Sequence, residues 1–161
     1  MTYKTSLDNL AKGITIGITL LFATIIIGQF SLISQKGQAL PIYTTVGLVL
    51  IYLIAFAFRP MNYQLSGEQL IIQRPLTNVK IQREQIKSIV LLDKKTLYGT
   101  IRTLGVGGLF GYYGKFANGN LGIMTWYATR KDRAVLVQTI DNRKIIITPD
   151  DPDQFVKDFY S

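Results

Sequence analysis

Residues 14–58, ITIGITLLFATIIIGQFSLISQKGQALPIYTTVGLVLIYLIAFAF, run for 45 residues with a single charged side chain, Lys36. The stretch divides around Gln35-Lys36-Gly37-Gln38 into two apolar runs, Ile14 to Ser34 and Ala39 to Phe58, of 21 and 20 residues. A helix needs about 20 residues to cross roughly 30 Å of hydrocarbon. Each run is therefore long enough to span, and the pair predicts a transmembrane helical hairpin over 14–34 and 39–58. A cleaved secretory leader is the competing reading of the first run, with Lys4 and Lys12 as its basic region. The run is too long for that, no small-x-small cleavage site follows it, and a second span comes at once. Pro41 fits the first turn of the second helix, where its missing N–H costs little, and Tyr43 suits the headgroup level.

Two spans put both termini on one side. Lys4, Lys12, Arg59 and Arg74 flank the hairpin on the terminal side and Lys36 alone marks the turn, so the bias of basic residues predicts termini in the cytoplasm. Residues 1–13 then read as a cytoplasmic N-terminal tail. Along the first span Gly13, Gly17, Thr24, Gly28 and Ser31 form a stripe of small residues that permits close helix approach. Thr44, Gly47 and Ala55 of the second helix offer it a partner surface, which is preferred to a dedicated oligomer interface. Gln29 lies beside the stripe and is expected to hydrogen-bond between helices, since its amide is costly against lipid.

Composition narrows the chemistry. The 161 residues carry 18 Lys+Arg against 10 Asp+Glu, with no Cys and no His, and the mean hydropathy is +0.22. Thiol nucleophiles, imidazole acid–base pairs, disulfides and His/Cys metal sites are excluded. Residues 59–161 hold fifteen Lys+Arg and nine Asp+Glu, a basic region following the spans.

That region alternates with strand period. Tyr63 and Leu65, the turn Ser66-Gly67-Glu68, and Leu70 to Gln73 predict a hairpin ended by Arg74-Pro75. Val79-Lys80-Ile81 and Ile86 to Leu92 predict two more strands. Leu121 to Thr129, Arg133 to Ile140 and Arg143 to Thr148 predict three others, expected as an antiparallel meander. At the end the period changes: Asp151 caps, Pro152 opens a helix, Gln154 follows at the third position, and Phe155, Val156 and Phe159 share one face. The expected architecture is a mainly-β domain over 59–161, a bent antiparallel sheet or barrel capped by a C-terminal α-helix.

Five stretches spread over 60–160 carry a family resemblance: Tyr63-Gln-Leu-Ser-Gly-Glu-Gln-Leu-Ile-Ile, Ile81-Gln-Arg-Glu-Gln-Ile86, the segment from Arg102 to Phe116, Met124-Thr-Trp-Tyr-Ala-Thr129, and the Asp-Pro-Asp-Gln-Phe-Val helix start. With the anchor before them they make the chain resemble membrane-anchored bacterial pleckstrin-homology (PH)-like proteins. The resemblance implies a seven-stranded bent sheet closed by a C-terminal helix, in a bacterial cytoplasmic membrane. It implies little about activity, because the scaffold hosts many binding roles. PH domains that read phosphoinositide headgroups place basic residues around the first hairpin, where this chain has Gln64, Glu68, Gln69 and Gln73.

Eight of the fourteen glycines fall between Gly99 and Gly122, with Phe110, Tyr112, Tyr113, Lys115 and Phe116 among them. The segment lacks the third glycine of a dinucleotide fingerprint and has Phe116 where a phosphate loop needs Ser or Thr. Two readings remain: glycines that let a strand bend and turn with aromatics filling the core, or a loop whose aromatics meet a partner or lipid. Arg130, Lys131 and Arg133 cluster in a turn and join the candidate contact residues. Asp150, Asp151 and Asp153 read as helix capping. No catalytic constellation, metal or cofactor is expected. The leading expectation is a non-enzymatic membrane-tethered module that binds a protein or peptide, possible also as a homo-oligomer through its spans. The alternative is a sensor of the anionic leaflet working through the basic turns and the Gly/aromatic segment. Nucleic acid is not expected, because the basic residues are scattered and the tether restricts access.

Overall fold

A computed structural model describes residues 1–36 and 39–161, with side chains described outside 31–38. Gly37 and Gln38 of the expected link, and the side chains of Ser31 and Lys36, lie outside what is described. Helix α1 runs Asn9–Lys36 and α2 Ala39–Ala57. The first helix thus starts five residues before the predicted span. Asp8 explains the early start: its carboxylate accepts the Ala11 N–H at 2.7 Å, a side-chain cap on an otherwise orphaned donor.

Ten strands are formed among the described residues, in two sheets. The first is ordered β1-β2-β3-β4 (Thr2–Lys4, Asn62–Leu65, Gln69–Gln73, Val79–Gln82), and all its pairings are antiparallel. The N-terminal segment, expected as a tail, here supplies an edge strand. The alternation of β2 and β3 faces Tyr63, Leu65, Leu70 and Ile72 into the core.

The second sheet is ordered β5-β9-β10-β8-β7-β6, from Ile86–Leu91, Val135–Thr139, Lys144–Ile147, Gly122–Ala128, Gly111–Asn118 and Ile101–Gly108. All seven strands read from the sequence are present, and the β6–β7 hairpin adds two. The expected meander is corrected. β10 pairs antiparallel with β9 but parallel with β8, because the link from β8 to β9 carries the chain past the position β10 later fills. Strand period reports which face is buried and says nothing about which neighbour is taken.

Both faces of the six-stranded sheet are covered. One face packs Val135, Val137, Ile145 and Ile147 against the four-stranded sheet and against helix α3, Pro152–Tyr160. The other gathers Tyr112, Phe116, Met124, Trp126 and Ile146 with Ala11 of α1. Phe155 and Phe159 of α3 are buried and Val156 is partly so, packed on the same core. Asp151 accepts the Gln154 N–H at 3.1 Å. The Gln154 side chain turns forward to Asp158 instead of back to the cap.

Candidate functional site

The glycine–aromatic segment is a hairpin, and its tip sits against the two apolar helices. Gly105 faces Gly114 across β6–β7 with φ +113°, and a Cβ on it would run into the Tyr113 carbonyl. Only glycine allows that approach. At the tip Gly108, φ +135°, lies against the Ile14 side chain of α1. Thr15 then latches the turn: its hydroxyl accepts the Phe110 N–H at 2.9 Å and donates to the Gly108 carbonyl at 3.3 Å.

Phe110, at φ 59°, meets two α2 rings edge-on, Tyr52 with centroids 5.1 Å apart and Phe56 at 5.5 Å. The Arg59 guanidinium lies 4.2 Å over the Phe56 ring and 5.6 Å over Phe110, a cation–π stack where α2 ends. Tyr113 donates its hydroxyl to the Ala55 carbonyl. Burial pushes this phenol well above its ordinary pKa, against the opposing pull of Arg59. The tip is therefore wedged against the ends of the helix pair that face the domain.

The other aromatics are core residues too. Phe116 stacks on Trp126, centroids 4.7 Å apart, and Tyr112 donates to both carboxylate oxygens of Asp8 at 3.1 and 3.3 Å. Phe110, Tyr112, Tyr113 and Phe116 are all buried, so these rings fill the core and offer no exposed contact face. Lys115 remains exposed and donates to Thr125. The basic turn is largely engaged: Arg130 pairs with Asp132 at 2.8 Å and Asp150 at 3.4 Å, and Arg133 donates to the Asp150 carbonyl. Burial raises the Asp132 carboxyl, but the hydrogen bond and charge of Arg130 outweigh this and hold it below the usual range. Lys131 donates its backbone N–H to Asp8 and leaves its ammonium 5.0 Å from the Tyr112 ring. The basic turn and the aromatics thus do not combine into one exposed surface.

Within the helix pair, Gln29 accepts from Thr44 at 3.0 Å and Thr45 at 2.8 Å, the interhelical bond expected of it. The small-residue stripe differs from expectation. A Cβ on Gly13, Gly17 or Gly47 meets nothing within 4 Å, and the Thr24 hydroxyl donates to its own helix at Leu20. At Gly28 an added Cβ likewise has room. The helices are joined instead by Gln29, by Thr19 to Tyr52 at 2.8 Å and by the Phe22–Tyr52 rings.

The two edges of the six-stranded sheet contrast. On β5 the Tyr160 hydroxyl accepts the Ile89 N–H at 3.0 Å and donates to the Ile89 carbonyl at 3.1 Å, so α3 occupies that edge. On β6 the outer side has no strand partner among the described residues, and Ile101 and Leu104 are 65% and 72% exposed. Sequence reasoning missed this edge and the Asp8 and Thr15 anchors. An Asp ahead of an apolar run was a readable signal for the first anchor; Thr15, inside an apolar run, gave none.

These features define a small two-sheet β module closed by a C-terminal helix and preceded by two long apolar helices. A sequence profile of the bacterial PH domain matches residues 61–161, and the chain belongs to that family. No curated protein and no solved structure matches it.

Proposed function

We propose that the chain is a non-enzymatic, membrane-tethered interaction module on the cytoplasmic face of a bacterial membrane, taking an extended segment of a protein partner along the open edge of β6. The observation that carries this reading is the contrast between the two edges of one sheet, β5 occupied by Tyr160 and β6 without a strand partner among the described residues and exposed from Ile101 to Gly105. An exposed strand edge is a template for pairing, and natural sheets cover or charge such edges unless they are used. Ile101 and Leu104 select apolar side chains on the added strand, while Arg102 between them favours an acidic one.

The tether is supported by how little of the helices the molecule itself covers. Only 6% and 11% of the most apolar windows of α1 and α2 are buried, whereas the core helix of a soluble protein is mostly covered. Ile27, Phe30 and Leu40 are each more than 70% exposed. Lipid is the medium in which such faces are stable.

A photoreactive residue replacing Leu104 should crosslink to a protein in native membranes, and the additional change Ile101→Lys should abolish the adduct. The same probe at Glu68, on the first hairpin, should yield none. No adduct at Leu104, or equal adducts at both positions, would contradict the reading.

A further inference from the structure

A groove of about 840 Å³ lies where the two helices meet the domain, bordered by β4 of the four-stranded sheet and by β6, β7 and β8 of the six-stranded sheet. Its apolar wall includes Ile14 and Ile18 of α1, Ile51 and Ile54 of α2, and Val106 and Leu109 of the hairpin. Around it stand five cations, Arg74, Lys80, Arg102, Lys115 and Arg143, and no carboxylate lines it. Arg143 is paired with Asp141 at 2.7 Å. The other four make no ion pair among the described residues. In a chain holding eight more basic than acidic groups, the basic turn at Arg130 is matched by acids, whereas this groove is not.

We propose that the groove holds one anionic phospholipid drawn from the adjacent leaflet, its phosphate among Lys80, Arg102 and Lys115 and the upper part of an acyl chain against Ile14, Ile18, Ile51 and Ile54. Charge complementarity selects the headgroup. The apolar wall selects the chain, because it is continuous with helix faces that are themselves long and apolar enough to cross a bilayer. The volume falls in the range of pockets that enclose small ligands. Arg74 closes the helix end of the site, its guanidinium 5.3 Å from the Phe58 ring and 5.6 Å from Tyr127 and held by Thr77. Gln64, Glu68, Gln69 and Gln73 of the first hairpin do not line it. The site rests on the membrane placement of the helices and shares Arg102 and Leu104 with the β6 edge, but its test removes Lys80 of β4 and Lys115 of β7, so the edge pairing and the lipid site can fail separately.

The test uses the full chain in phosphatidylcholine nanodiscs containing increasing phosphatidylglycerol, with lipid retained after transfer to detergent counted by native mass spectrometry. Lys80 and Lys115 are exposed, and Lys80→Gln with Lys115→Gln should fold normally. A basic group near an anionic leaflet is worth roughly fivefold in affinity, so the pair should weaken the phosphatidylglycerol preference by about thirtyfold. Lys94→Gln with Lys95→Gln, which removes the same charge outside the groove, should leave the preference in place, and soluble glycerol phosphate should not displace the lipid. Unchanged preference in the groove variant, an equal loss in the control, or displacement by glycerol phosphate would each overturn the proposal. Failure of the chain to enter the discs would overturn the membrane placement and the lipid site together.

Discussion

Asp8 serves three neighbours with one carboxylate. It caps α1 at Ala11, accepts the Tyr112 hydroxyl and accepts the Lys131 backbone N–H at 3.1 Å, tying the helix start to the sheet and to the basic turn. Asp8→Ala removes a cap worth ~0.5–2 kcal/mol and strands a buried hydroxyl at ~1–3 kcal/mol. Denaturant melts of the full chain in micelles should show a loss of about 2–4 kcal/mol, and Tyr112→Phe a smaller one; equal melts for wild type and Asp8→Ala would refute the role. Gly17→Leu should be silent in the same assay, within ~0.5 kcal/mol, because the space around it is open. A large loss there would restore the close helix packing that the small-residue stripe led one to expect.

Tyr3 adds a pH dependence. Burial and the hydrogen bond it donates to Asp158 push its pKa from the usual 10 up to about 12. The folded chain keeps a proton that the unfolded chain releases near 10, so this contribution to stability is complete below pH 10 and is lost as the pH rises through about 12. Tyr3→Phe should flatten the fall in Tm between those values relative to wild type; parallel curves would mean that Tyr3 is not held by Asp158.

Among the elements, α3 was the most legible. Phe155, Val156 and Phe159 recur at helical spacing and Asp151-Pro152 mark the start, because a helix of two turns encodes its buried face locally. The β6–β7 hairpin was not legible to the same degree. Its strands are built on Gly105, Gly107, Gly108, Gly111 and Gly114, residues of low strand propensity, and its pairing is enforced by close backbone approach and by a tip latched on Thr15. The latch acts between segments more than 90 residues apart and leaves no local pattern. Thr2–Lys4 escaped for a similar reason, since three residues are too few for a period to show. At this scale Phe155→Ala should cost ~3–5 kcal/mol by cavity formation, and Asp151→Ala only ~0.5–2 kcal/mol. Reversal of that order in melts of the full chain would show that α3 is held by its cap and not by its buried face.

At the scale of the whole molecule, the hairpin tip decides how the domain is presented. With Phe110 set between Tyr52, Phe56 and the Arg59 guanidinium, and with the Leu76 N–H donating to the Ala57 carbonyl at 3.1 Å, the domain is fixed on the helix ends and does not hang from a linker. The β6 edge and the cation-lined groove are consequently held close to the ends of the two apolar helices. The tether, the edge pairing and the lipid site all rest on the two helices crossing the membrane with the domain on the cytoplasmic side. Single cysteines at Gly37 and Gly67, in a chain that has none of its own, probe that directly with an impermeant thiol reagent on intact cells. Labelling at Gly37 with protection at Gly67 is the predicted result; labelling at Gly67 with protection at Gly37 would contradict it.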